Sequence, residues 1–389
     1  MSSILSANST ITIDIKSNLS GKQILLKSTA KYNSWGLKSV NVKAGELSSS
    51  ISVGGNSIVI DNHNISIKWE NSTDLVMYCS TQSSPYANLL SNGVSQIVAW
   101  DKEKGAVGYV ATDGTPGNKW RGIWDWDGKD VELWRVVGVG RFAGSKVDHD
   151  GILLYNGIGN TFAAWTNLNN GDYGYVNLCH VEGNFNTKCL TDLANDDYDD
   201  VLIYDEKGSF GVVLDGATYK DIWHVDNPKT NAWQLCGAGN FGGDQDKLVV
   251  KNASGHLYFW NNNDSTFKTW NWSQEVIGYV GNDFEFVGVG DFQGDGIDDI
   301  LLRKTSDNGL WVWEDGNASK ASWQVTPGNG FKVEAIGDYN GDGKDDVLVR
   351  EYNTGWGGCG YYAFGGDTLW NDLNARIETD LESKFAVIA

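Results

Sequence analysis

The segment GDFQGDGIDDILLR at positions 290–303 returns almost unchanged 47 residues later as GDYNGDGKDDVLVR at 337–350. A chain that repeats itself at a fixed long period folds as a repeat architecture, so this pair constrains the fold more than any other feature. The similarity extends upstream, where FEFVGVGDF matches FKVEAIGDY. Weaker copies come earlier: WRVVGVGRF at 134–142, LCHVEGNF at 178–185 and WQLCGAGNF at 233–241. After each loop stands a short apolar run, GILLYN, DVLIYD, KLVVKN, DILLRK or DVLVRE. A second run follows, as in GSFGVVLDG, GHLYFWNNN and GLWVWEDG, and then an isolated Trp at 223, 270, 323 and 370.

The unit is therefore about 50 residues, with four apolar runs of strand length separated by Gly, Asn and Asp turns. No stretch keeps a 3.6-residue period for three turns, which excludes helical solenoids. Four short strands per unit, repeated around an axis, predict an all-β chain folded as a β-propeller. Counting repeats gives about six four-stranded blades, or seven if residues 57–80 contribute one. The closing residues SKFAVIA match GFKVEAI and stop where the acidic loop should come, while the repeat at 95–114 begins just after such a loop. The C-terminal strand is thus expected to complete the blade begun near Ser95, closing the ring and removing two sheet edges. The propeller is expected over 94–389. Before it, residues 1–82 alternate apolar and polar positions and read as a small antiparallel β-sandwich. Residues 83–93, with Pro85 and turn formers, read as the linker.

The acidic loops place oxygen donors at alternate positions. One copy offers Asp291, Gln293, Asp295, the carbonyl of Ile297, and Asp299. The other offers Asp338, Asn340, Asp342, the carbonyl of Lys344, and Asp346. Spacing of 1, 3, 5, 7, 9 wraps a chain around one hard cation, and the donor count suits Ca²⁺ better than Mg²⁺. A weaker copy has Asp192, Asp196, Tyr198 through its carbonyl, and Asp200, with Ala194 at the third position. The loops beginning at Arg141 and Asn240 have lost the spacing and are expected to close without metal.

These loops and the strands after them resemble the FG-GAP or VCBS repeats of integrin α-subunit propellers and their bacterial relatives. The resemblance covers about 90–389. It implies that the loop joins the first two strands of a blade and binds Ca²⁺, and that the protein sits outside the cell or on its surface. The N-terminus shows no basic region followed by an apolar run, so no ordinary signal peptide is visible; retention inside the cell and another export route are both compatible with that.

Composition narrows the partners. Formal net charge is −20, which disfavours nucleic acid, and no apolar stretch is long enough to span a bilayer. Five cysteines without a CxxC pair argue against a disulfide scaffold or zinc site. No GxSxG, HExxH or Walker loop is present, and Cys179–His180 point to opposite faces of one strand. Eighteen tryptophans are many for this length. Those recurring in each repeat are expected to fill the wedge between blades. Trp124, Trp126, Trp272 and Trp356 do not recur and are the candidates for stacking on a sugar ring or a protein partner. The sequence thus predicts a non-catalytic, calcium-stabilised binding or adhesion protein for a glycan or protein surface. The alternatives are a glycoside hydrolase or polysaccharide lyase with acids from separate blades, and a structural part of an extracellular assembly.

Overall fold

The structure is a computed structural model. It describes residues 12–15, 21–27, 39–44, 47–52, 58–60, 63–70, 74–81, 89, 95–101, 105–110, 120–124, 134–142, 150–166, 174–182, 185–194, 198–214, 218–223, 233–242, 245–264, 271–327, 330–339, 344–351, 360–362, 376–377 and 385–387. The fold is all-β; among the described residues the helical segments are two 3₁₀ turns, Glu314–Gly316 and Ala318–Lys320.

Five antiparallel blades follow one another, each a sheet of four consecutive strands. Their innermost strands are Trp134–Gly140, Asn186–Thr191, Trp233–Gly239, Phe284–Gly290 and Phe331–Gly337. Five such blades, rather than six or seven, correct the count expected from the repeats. The remaining repeat is built differently. Strands Ile97–Asp101, Val107–Val110 and Trp120–Trp124 form a sheet with Phe385–Val387, from the far end of the chain. Phe385 pairs with Asp101, Ala386 with Trp100 and Val387 with Ala99. The C-terminal strand therefore completes the sheet begun near Ser95, as its match to GFKVEAI predicts. Residues 57–80 do not form a seventh unit, because strands Ile58–Ile60, His63–Glu70 and Asp74–Thr81 join Gly21–Lys27 in one sheet. The other N-terminal sheet pairs Thr12–Ile15 in parallel with Ser39–Ala44, where an antiparallel arrangement was expected. Leu89, in the expected linker, is fully buried against Val98 and Val136.

The core is divided among the gaps between sheets. In the second strand of each blade, successive side chains face opposite neighbours. Ile152 and Leu154 pack toward the composite sheet, whereas Leu153 and Tyr155 pack toward the second blade. Val201 and Ile203 face the first blade, and Leu202 the third. A strand buried on both faces must be apolar at every position, which is why GILLYN, DVLIY and DILLR are continuous rather than alternating. Aromatic rings help to fill the gaps between sheets. Trp233 and Trp260 meet edge to face at 5.1 Å, and Phe210 of the preceding blade lies 5.8 Å from Trp260. Trp311 and Trp313, two residues apart on one strand, share one cluster.

Every innermost strand is bulged at the same register. The interruptions fall between Val136 and Gly138, Thr187 and Cys189, Leu235 and Gly237, Phe286 and Gly288, and Val333 and Ala335. A bulge adds local twist and re-aims the extra side chain.

If Phe385–Val387 closes the ring, deleting residues 385–389 leaves Ile97–Asp101 as an open edge. The truncated protein should aggregate or lose its single cooperative transition in calorimetry. An unchanged melt would show the strand to be peripheral.

Candidate functional site

The acidic loops lie between the first and second strands of the blades, and their carboxylates divide into three tasks. The first Asp organises the loop. Asp291 Oδ1 accepts from the amides of Gly294 at 2.7 Å and Asp295 at 3.0 Å, while Oδ2 accepts from Gly296 at 2.7 Å. Gly294 and Gly296 both have positive φ, which lets consecutive amides turn toward one carboxylate.

The last Asp ties the end of the loop to its start. Asp299 Oδ2 accepts from Phe292 N at 3.1 Å, and Asp346 Oδ2 accepts from Tyr339 N at 3.0 Å. In the weaker copy Asp200 Oδ2 takes the amide of Ala194 at 3.0 Å. The Asp299 Oδ1 atom reaches the 3₁₀ turn through the Asp315 amide at 2.8 Å.

The penultimate Asp does something the sequence reading missed. It clasps the preceding blade. Asp298 Oδ2 accepts from Asn240 N at 2.7 Å, and its own amide donates to Asn240 O at 2.7 Å. Asp345 makes the same pair of hydrogen bonds to the backbone of Asp291, and Asp199 to that of Arg141. Asp246 Oδ2 accepts from Thr191 Oγ1 at 2.5 Å and from Asp192 N at 3.2 Å. At the junction with the composite sheet, Ser95 N donates to Asp338 O at 2.8 Å. The glycine before Arg141, Asn240 and Asp291 is required by the close approach, whereas the second blade has Thr191 there, whose hydroxyl donates to the clasping Asp246. A Cβ on Gly290 would stand 2.7 Å from Asp345 Oδ2, and one on Gly239 would strike Asp298. The signal was present in the doubled Asp of GDGIDD and GDGKDD, since one loop needs only one closing carboxylate.

Burial sets the electrostatics. Asp291 is pushed up to about 7, chiefly by burial and then by the negative charge of Asp295, against the pull of its three amides. Burial also lifts Asp299 well above the usual carboxylate range, with Asp291 adding to it. Asp298 is raised by burial and by Asp246. A hard cation would relieve this repulsion, and the donors are the hard oxygens such a cation takes. Among the described residues, no three His, Cys, Asp or Glu side chains converge as a ligand cage. Of the first loop's expected set, Gln293 is exposed, and the Ile297 amide donates to Asp295 Oδ1 at 3.1 Å. In the second loop Asp338 and Asp346 are buried and Lys344 half-buried; Asn340 and Asp342 lie outside the described residues. In the weaker copy Asp192 and Asp200 are buried and Tyr198 half-buried, and Asp196 lies outside the description. Arg141, a cation at the first ligand position of its loop, sits over the Tyr198 ring at 5.7 Å.

The tryptophan candidates separate. Trp272 is half-buried and packs 6.5 Å from Trp260 in the core between the second and third blades. Trp124 ends a strand beside a register shift, with its side chain outside the described residues. Trp126 and Trp356 also lie outside them. Cys179, Cys189 and Cys236 are free thiols, and burial pushes them up to about 11, 12 and 11. Cys179 packs into a core cluster, while exposed His180 turns Nδ1 to Gly159 O at 2.7 Å. Among the described residues no helix is long and apolar enough to cross a membrane.

If the clasp holds neighbouring blades together, Asp298→Ala leaves the Asn240 amide unpaired. The expected cost is about 1–3 kcal/mol in denaturant unfolding. Asp298→Asn keeps an acceptor there and should cost clearly less. Equal losses for the two variants would refute the clasp.

Comparison with known proteins bears on these loops directly. The model of the FG-GAP-like repeat matches residues 291–349, which span both strong loops, the last three strands of the fourth blade and the first strand of the fifth. No curated protein matches the chain. Among solved structures, one entitled "Crystal structure of BBS1N in complex with ARL6DN, soaked with mercury" aligns over 73% of this chain and 78% of its own, at 14% identity and a TM-score of 0.38. That likeness is too distant to inform fold or function. The match identifies residues 291–349 as an FG-GAP-like repeat, and the five consecutive four-stranded sheets set that repeat in a propeller arrangement.

Proposed function

We propose that this chain is a non-catalytic binding or adhesion protein, acting outside the cell or at its surface, whose ring is stabilised by Ca²⁺ in the acidic loops. The observation that carries the metal is the buried Asp291 carboxylate, set beside Asp295 and Asp299 in a loop written twice. Carboxylates brought together out of water repel one another, and amides alone do not neutralise them. Asp291, Asp295 and Asp299 would hold the ion in the first loop, and Asp338, Asp342 and Asp346 in the second. When bound, the ion supplies positive charge that cross-links the loop; it takes part in no reaction. The partner is a glycan or protein surface, which a rigid ring offers many loops to meet.

Metal that binds only the folded loop stabilises by mass action, by about 2.7 kcal/mol at a hundredfold excess over the dissociation constant. Chelation of the full-length protein should lower the melting temperature, and Ca²⁺ should restore it better than Mg²⁺. Asp295→Ala should remove part of the response. No Ca²⁺ uptake in calorimetry together with a chelator-insensitive melt would overturn the metal assignment. A glycan array then separates sugar binding from protein binding.

A further inference from the structure

The bulged inner strands surround an open cavity of about 290 Å³, at the small end of the range of ligand cavities. The bulge residues Val137, Lys188, Cys236, Val287 and Glu334 all line it, one from each blade at a matching register. Three of the five are apolar or nearly so, and Phe286 and Ile336 extend that apolar wall.

The other two are opposite charges on opposite sides. Lys188 belongs to the second blade and Glu334 to the fifth. The third and fourth blades separate them in one direction. The first blade and the composite sheet separate them in the other, since that sheet shares a core with the first blade and is bonded through Ser95 to the fifth. The lysine is exposed and, among the described residues, makes no ion pair.

A cation and an anion on opposite sides of a cavity whose other lining side chains are apolar select a ligand of the complementary pattern. An anion alone would meet Lys188 but leave its tail near Glu334, and a dianion would be repelled there. Charge pairing in a cavity walled by protein is stronger than in water. We infer that the axial cavity is a binding site for a small zwitterion with an apolar middle, of the ω-amino carboxylate class. Its carboxylate pairs with Lys188 and its ammonium with Glu334. The site is separate from the acidic loops and does not depend on their metal.

Calorimetry on the full-length protein in Ca²⁺-containing buffer tests this with 4-aminobutanoate, 6-aminohexanoate and 8-aminooctanoate, against hexanoate and hexylamine. At least one zwitterion should bind about tenfold or more tightly than either singly charged probe. Lys188→Met and Glu334→Gln should each weaken that binding about tenfold or more with the melting temperature unchanged. Val137→Phe, which narrows the cavity without touching either charge, should abolish it. Absence of heat with every zwitterion would overturn the inference. So would hexanoate binding as well as 6-aminohexanoate with Glu334→Gln silent.

Discussion

The ring depends on a two-point contact in which one residue's amide and carboxylate close on the backbone of the preceding blade. Asp298 on Asn240, Asp345 on Asp291 and Asp199 on Arg141 have the same form. A propeller blade has no hydrogen bonds to its neighbours along the sheet, because sheets meet face to face. Apolar contact between faces is strong but directionless. Wedged sheets held by it alone could slide along one another. The clasp supplies the direction. It fixes the height of each blade relative to the one before, and so aligns the bulges that define the axial cavity.

The clasp also explains features of the repeat that packing does not. Gly140, Gly239 and Gly290, each before a clasped residue, leave room for a carboxylate from the next blade, and a Cβ there would collide with it. The aromatic residue after it, Phe292 or Tyr339, donates its amide to the closing Asp of its own loop. Three consecutive motif positions thus answer to two blades and one loop. A substitution at any of them disturbs more than its own strand.

Much of this was legible in the sequence. The period, the strand-length runs and the match of KFAVIA to KVEAI are local patterns, and local patterns survive translation into structure. The pairing of Phe385–Val387 with Ile97–Asp101 was read correctly because one strand was missing from each end of the repeat series. The clasp was not read, because its partners lie 54 to 58 residues apart and its Asp looks like one more metal ligand in an acidic run. Trp272 does not recur among the repeats, which made it a candidate for stacking on a partner; it is half-buried against Trp260 in the gap between sheets. The bulge residues carry no common chemistry, being Val, Lys, Cys, Val and Glu, so no comparison of repeats marks them. Only the register of pairing does.

The distribution of cations among the loops follows from the same constraint. Every clasp brings a buried carboxylate to the rim of the ring, and amides satisfy its lone pairs without cancelling its charge. Each loop must therefore find positive charge nearby. The first blade carries Arg141 in the loop itself, over the Tyr198 ring of the next blade. The third carries Lys247, whose Nζ donates to Phe241 O at 3.3 Å and whose pKa burial lowers. The fourth and fifth have instead the fullest sets of acidic side chains, Asp291, Asp295 and Asp299, and Asp338, Asp342 and Asp346. The loops at Arg141 and Lys247 have lost the alternating acids, whereas the loops that keep them have an acid, Asp291 or Asp338, at the first ligand position. In the Ca²⁺ reading these are two solutions to one problem, a covalent cation in some blades and a bound one in others. The choice between them is written in the loop at the position that Asp291 and Arg141 share.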